Sequence, residues 1–287
     1  MIRDPQLTVT ALAAGVLDSG HQVLIAAGVF GVAVSHDAGT TWQRPFPEGA
    51  LPAVTGLAAS PDFVLNGRIY LGTANGCLVG NLAAGSCRLA LGDGHVFALA
   101  VTTAGQDQPD PDATAIEQVF VGTDRDGLFC SSDGGERWEA RNAGLLDLSV
   151  LAFAASPGFA LDRTAFLGTA TGIQRSRNGG RAWRALDLPV ADDAAVQSIA
   201  LSPCFAQDQH VFAGTEDRGL HASLDAGESW EHVSALGNQT INAIAISPRS
   251  GTVCVGTDRA VSFSDDAGAT WREGQGAVGG VLALCWL

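Results

Sequence analysis

Lysine is absent from this chain. All 16 basic residues are arginine, and 30 acids set the net charge at −14. Nucleic acid binds proteins by exchanging its counterions for a basic surface, so this balance excludes it as a partner. An anionic membrane surface is disfavoured for the same reason. No apolar run approaches the length a bilayer span needs, since the most apolar stretch, Val23 to Val34, is broken by Gly28 and Gly31. Charged residues make up 16% of the chain, against roughly 25% in an average globular protein. That is too little Glu and Lys for helical bundles or coiled coils. Met1 to Gln6 lacks a basic region followed by an apolar segment, so no secretory signal is expected and the expected location is cytoplasmic.

Cofactor chemistry has little to stand on. Cys77, Cys87, Cys130, Cys204, Cys254 and Cys285 form no CxxC pair and read as small core hydrophobes of a reducing compartment. Cys77 and Cys87 could face each other across one hairpin. The six histidines show no HExxH or other close metal spacing, and His221 and His232 are expected to oppose each other as a surface pair. There is no GxSxG elbow and no phosphate loop. Neither a metal nor a cofactor is expected.

What the chain has in quantity is glycine, 36 residues, and a repeat. An octapeptide of form Ser-x-Asp-x-Gly-x-x-Trp runs from Ser35 to Trp42. It returns at Ser131 to Trp138, Ser176 to Trp183 (with Asn178 for Asp), Ser223 to Trp230 and Ser264 to Trp271. The Trp intervals are 96, 45, 47 and 41, so one copy is hidden in the first; it lies near Gly80 to Cys87, where Asp and Trp are lost. Six apolar runs ending in Gly28, Gly72, Gly122, Gly168, Gly214 and Gly256 confirm six units, five of them followed by Thr. Alternating segments ending in Ser-Pro open most units.

Each unit therefore reads as four strands, A to D, with a Ser-Pro turn between A and B, a Gly-Thr turn between B and C, and the octapeptide between C and D. Four short antiparallel strands repeated at this period describe one blade of a β-propeller. The expected fold is all-β and six-bladed, a single domain over 1–287. Its blades are approximately 6–49, 50–94, 95–144, 145–191, 192–237 and 238–276. Residues 281–287 resemble a seventh strand A, expected to close the ring against blade one. The alternative is a seven-bladed ring with an incomplete last blade.

The octapeptide resembles the Asp-box, or bacterial neuraminidase repeat. The chain is similar to the Asp-box propellers, a group that includes sialidases, xyloglucanases, sortilin-type receptors and the photosystem II assembly factor. The resemblance implies fold more firmly than function. Physically, Asp can accept N–H groups of its own turn, Gly permits positive φ, and Trp packs beneath the loop. Asp37, Asp133, Asn178, Asp225 and Asp266, with Trp42, Trp138, Trp183, Trp230 and Trp271, are therefore read as structural, because a residue repeated in every unit serves the unit.

Function is sought in the turns that vary. In the family, ligands bind the face of the B–C and D–A turns. Three B–C turns carry an acid after Thr and an arginine: Asp124, Arg125 and Asp126; Glu216, Asp217 and Arg218; Asp258 and Arg259. They read either as solvated turns with local pairing or as a polar patch for a partner. Sialidase chemistry needs a Tyr nucleophile, but the only Tyr, Tyr70, falls in an apolar column with Ala26, Phe120, Phe166, Phe212 and Cys254. The Arg-Ile-Pro signature is also absent, and xyloglucanase-like enzymes use two such propellers where this chain has one. The insertion Gly105 to Glu117, with Asp107, Asp110 and Asp112, does not match a calcium loop and reads as a mobile acidic loop. The expected function is a non-catalytic scaffold that binds a protein partner. The alternative is a carbohydrate-active enzyme or lectin acting from the B–C face.

Overall fold

A computed structural model describes residues 8–16, 22–104, 116–190, 193–274 and 280–285. Six antiparallel sheets follow one another along the chain. Blade one holds β1 (Val9–Val16), β2 (Gln22–Gly28) and β3 (Gly31–Ser35), and a bridge between Val34 and Gln43 stands for its fourth strand. Blade two holds β4 (Val54–Ala59), β5 (Arg68–Thr73), β6 (Gly76–Asn81) and β7 (Ser86–Gly92). Blade three holds β8 (Val96–Ala104), β9 (Ile116–Thr123), β10 (Leu128–Ser131) and β11 (Glu139–Ala140). Blade four holds β12 (Val150–Ala155), β13 (Ala165–Thr169), β14 (Gly172–Ser176) and β15 (Arg184–Leu186). Blade five holds β16 (Val196–Leu201), β17 (Val211–Thr215), β18 (Leu220–Ser223) and β19 (Glu231–His232). Blade six holds β20 (Ile241–Ile246), β21 (Val253–Thr257), β22 (Val261–Ser264) and β23 (Arg272–Glu273). Strand order within every sheet is sequential, and the first strands of successive blades pack side by side: β1 on β4, β4 on β8, β8 on β12, β12 on β16 and β16 on β20. This is the expected six-bladed β-propeller.

The recurring Gly-Thr pair now has a physical reason. A Cβ on Gly72 would sit 2.6 Å from Val96 of the next blade, and one on Gly122 2.3 Å from Val150. Gly214 meets Ile241 in the same way, at 2.5 Å. Glycine is required there because the first residue of the following blade lies against its backbone. The threonine does a different job: its hydroxyl donates across the B–C turn to the carbonyl of Gly76, Gly127, Gly172, Gly219 or Ala260, at 2.8–3.2 Å. Burying these β-branched and aromatic side chains supplies the main driving force for the stack.

Two local features differ from the sequence reading. Three of the Ser-Pro turns are short helices, α1 (Phe63–Asn66), α2 (Phe159–Asp162) and α3 (Phe205–Asp208), each tucking its leading Phe into the core. The serine organises them: Ser156 Oγ donates to Asp162 Oδ2 at 2.6 Å, and Ser202 Oγ to Asp208 Oδ2 at 2.5 Å. At the C-terminus, residues 280–285 form no strand. Val281 takes the seat against Gly256 that Val96, Val150 and Ile241 take against the earlier glycines, and its N–H donates to Thr257 O at 2.8 Å. β1 and β20 make no junction like those between the other inner strands. Residues 286–287 lie outside the described residues.

The cysteines also divide. Cys77, Cys130 and Cys254 are buried, and burial pushes their thiols up to about 12, 11 and 11. Cys87 and Cys204 are exposed rather than core residues. Cys77 pairs in register with Leu91 and Cys87 with Gly80, so the hairpin does not bring the two thiols opposite, and both are free.

Candidate functional site

The octapeptide turn sits at the C–D end of five blades and repeats one hydrogen-bond pattern. Ser223 Oγ accepts the N–H of Gly227 at 2.7 Å and donates to Asp225 Oδ1 at 2.8 Å. Asp225 Oδ1 in turn accepts the N–H of Ser229 at 2.8 Å. The same three bonds recur around Asp37, Asp133 and Asp266, and around Asn178, whose Oδ1 accepts the N–H of Ala182 at 2.9 Å. Asn replaces Asp because the turn uses an acceptor oxygen rather than a charge. The hydroxyls of Thr41, Ser229 and Thr270 donate to the second oxygen, Oδ2, of Asp37, Asp225 and Asp266 at 2.5–2.6 Å, and they are the largest cause, ahead of the turn N–H groups, that holds these carboxyls at about 2, below the usual carboxylate range. The serine was not singled out in the sequence, although its recurrence in every copy was visible.

The tryptophans are less uniform than expected. Trp183 and Trp230 are buried, whereas Trp42, Trp138 and Trp271 are half-buried. Trp42, Trp230 and Trp271 donate Nε1–H to the glycine carbonyl of their own turn, at 2.9–3.1 Å. Trp138 and Trp183 instead reach Ala90 O and Arg141 O in the preceding blade.

The apolar column holds: Ala26, Tyr70, Phe120, Phe166, Phe212 and Cys254 are all buried. Tyr70 is more than packing, because its hydroxyl donates to Glu117, which also receives the hydroxyl of Ser60 and faces Arg68 at 3.8 Å. Glu117, at the end of the sequence insertion, thus belongs to β9 and ties blade three to blade two. The acidic residues 107, 110 and 112 lie outside the described residues. His221 and His232 are register partners with ring centroids 5.3 Å apart. His221 is fully buried, not a surface residue, and burial lowers its imidazole to about 4.

On the B–C face each charged turn pairs within itself. Arg125 lies 3.6 Å from Asp124, Arg218 3.3 Å from Asp217 and Arg259 3.9 Å from Asp258. Glu216 is fixed through its N–H to Ala195 O at 3.0 Å, and Asp126 through its N–H to Thr123 Oγ1 at 3.0 Å. The turn of blade three is further clamped by Asn142, which donates to Asp126 O and accepts from Leu128 N–H, both at 2.8 Å. Blades five and six are neighbours, while blade three stands half a ring from blade six, so the three pairs do not converge on one point. Clefts open elsewhere, on the octapeptide side. One of about 630 Å³ lies between blades five and six beside His210, His232 and Asp266, and one of about 340 Å³ lies between blades two and three beside Arg68, Arg88 and Glu136. Among the described residues no group of three or more His, Cys, Asp and Glu side chains converges, and no helix is long and apolar enough to cross a membrane.

No protein-family model matches the chain, and no curated protein matches it by sequence. Solved structures do. The extracellular domain of a hybrid two-component system from B. thetaiotaomicron superposes with a TM-score of 0.69 at 18% identity, over 93% of this chain and 33% of its own. An ancestral GH74 enzyme gives 0.69 at 20% identity, covering 93% and 38%. The GH74 xyloglucanase from Xanthomonas campestris gives 0.68 at 15%, covering 92% and 45%. The chain spans between a third and a half of the length of these proteins. Identities this low show a shared fold and nothing finer. The class the fold defines is the six-bladed β-propeller, with GH74 enzymes and the extracellular domain of a two-component system as structural neighbours.

Proposed function

We propose that the chain is a non-catalytic binding disc of the Asp-box type, which docks a protein partner on the face carrying the B–C turns of blades three, five and six. One observation carries this reading. Each of these turns has a backbone held by its threonine hydroxyl, while Arg125 and Arg259 leave their side chains 86% and 81% exposed. A fixed backbone with free charged tips offers recognition at little ordering cost. Weak pairing inside a turn is readily exchanged for a partner's charges, since exposed ion pairs are worth about 0–1 kcal/mol. Arg125→Glu with Arg218→Glu should leave unfolding free energy within about 1 kcal/mol. The same pair should abolish salt-sensitive capture of the partner in a cross-linking pull-down that compares the two proteins. Equal capture by both proteins would reject this face.

Glycoside hydrolysis is the second reading, favoured by the GH74 neighbours. It requires two carboxylates roughly 5–10 Å apart across a groove. Asp124, Asp217 and Asp258 are instead each offset by an arginine of their own turn. Release of reducing ends from xyloglucan by the purified chain would establish it over the binding reading.

A further inference from the structure

The chain is strongly acidic, yet five of its 16 arginines fall between residues 163 and 184, a stretch without a single acid. The octapeptide in that stretch is the copy in which Asn178 replaces Asp, so it lacks the negative charge the other copies carry. The fold gathers these residues on the outer rim of blade four. Gly179 N–H donates to Arg163 O at 2.9 Å, which lays the A–B turn beside the octapeptide turn. Arg175 on β14 and Arg184 on β15 are directly opposed in register. Like charges opposed across strands repel, so an anion is needed between them.

Glu228, from the octapeptide turn of blade five, supplies one. Arg175, only 3% exposed, donates to Glu228 Oε1 at 2.5 Å and to Ala226 O at 2.5 Å. Arg184 and Arg177 face the same carboxylate at 3.4 and 3.6 Å. One carboxylate therefore serves three guanidiniums. Arg177 and Arg184 remain 62% and 69% exposed, and exposed Arg181 forms no ion pair among the described residues. Glu228 shows how this rim holds a carboxylate; Arg175, Arg177 and Arg184 share its single charge, which leaves room for more.

We propose that this rim of blade four is a docking surface for a short acidic segment of another protein, engaged by Arg177, Arg181 and Arg184. Arginine forks bind carboxylates in a defined geometry, which suits Asp and Glu side chains. The length of the segment is limited by the molecule itself: a long polyanion would run off the patch onto a surface of net negative charge, which disfavours nucleic acid. Leu161, 92% exposed on α2 and two residues from Arg163, adds an apolar contact beside the charges. That contact fits a peptide and not a purely polar anion. This surface is on the octapeptide side, so it is separate from the B–C face, and either assignment can fail without the other.

The test is fluorescence anisotropy of a short dye-labelled peptide rich in Asp and Glu with one central Leu, titrated with the full chain at low and at physiological salt. The chain should bind it, more weakly as salt rises. Arg177→Glu with Arg181→Glu should weaken binding at least about tenfold, while Arg125→Glu with Arg218→Glu should change it less than about twofold. Leu161→Ser should weaken it by a smaller factor. Arg175 and Arg184, which tie blade four to Glu228, are left in place so that the fold survives; should the reversal still disturb the melting curve, Arg177→Gln with Arg181→Gln replaces it, with the same direction expected. Absence of binding, or binding unaffected by both pairs, overturns the proposal. Equal competition by a single-stranded oligonucleotide overturns the assignment to a protein segment.

Discussion

At the scale of the residue, the octapeptide acids show how a carboxylate can be structural while exposed. Their oxygens accept turn N–H groups and a neighbouring hydroxyl, and this lowers Asp37, Asp225 and Asp266 from 3.8 to about 2. Buried His221 moves from 6.5 to about 4, because burial disfavours its charged form and His232 adds to the effect. Both shifts are depressions, so the sign is shared: the contribution is full above the unfolded value and is lost as pH falls through the folded one. Melting temperature should therefore fall in two stages, from about pH 6.5 to 4 through His221 and from about pH 4 to 2 through the acids. Asp37→Asn, Asp225→Asn and Asp266→Asn together should flatten the second stage and leave the first: Asn178 shows that one amide oxygen accepts both the serine hydroxyl and the turn N–H, and the hydroxyls of Thr41, Ser229 and Thr270 can turn to accept from the amide instead of donating to Oδ2. A melting series against pH on both proteins checks this; a second stage unchanged by the three substitutions would show that the acids do not cause it.

At the scale of the element, the octapeptide turn rests on the serine and tryptophan more than on the acid. Ser223 is buried and is the acceptor for the buried N–H of Gly227. Ser223→Ala strands that donor and should cost about 1–3 kcal/mol. Trp230→Ala empties a buried site against Phe166, Leu186 and Ala226 and should cost about 3–5 kcal/mol. Denaturant midpoints measure both, and the outcome to watch for is partner binding lost with stability intact, which would make the turn a functional site. The Ser-Pro turns follow the same logic. Ser60, Ser156 and Ser202 each accept a backbone N–H two residues on and bond the Asp or Asn side chain six residues on, so in these three turns the sequence spacing encodes a helical turn.

At the scale of the whole molecule, the seam is the weak point. Every other inner strand is flanked on both sides, whereas β1 and β20 lack a mutual junction and Val281 fills the seat after blade six. Deleting residues 280–287 uncovers Gly256 and leaves an open edge, a template for intermolecular pairing. The truncated chain should lose on the order of 2 kcal/mol of stability and aggregate on heating. Calorimetry with size-exclusion chromatography decides it, and a truncated chain that melts like the full one would mean the seam closes without this segment.

The sequence by itself determined the six units, the four strands of blades two to six, the octapeptide and Gly-Thr turns and the buried column, because each of these is a local pattern repeated at a fixed period. It could point to Asp124, Arg125, Glu216, Asp217, Arg218, Asp258 and Arg259 as the turns that vary, because variation against a repeat is visible in one dimension. It could not show that the three pairs close within their own turns and stand on separated blades. Glu117 reaching Ser60 and Tyr70, Glu228 reaching Arg175, Arg177 and Arg184, and Val281 seated on Gly256 were decided only by the tertiary structure. Each joins side chains from different blades or from the seam, and which side chains meet across a blade junction depends on the stagger and twist of neighbouring sheets. No period in the chain records that stagger, because it arises only when the sheets pack.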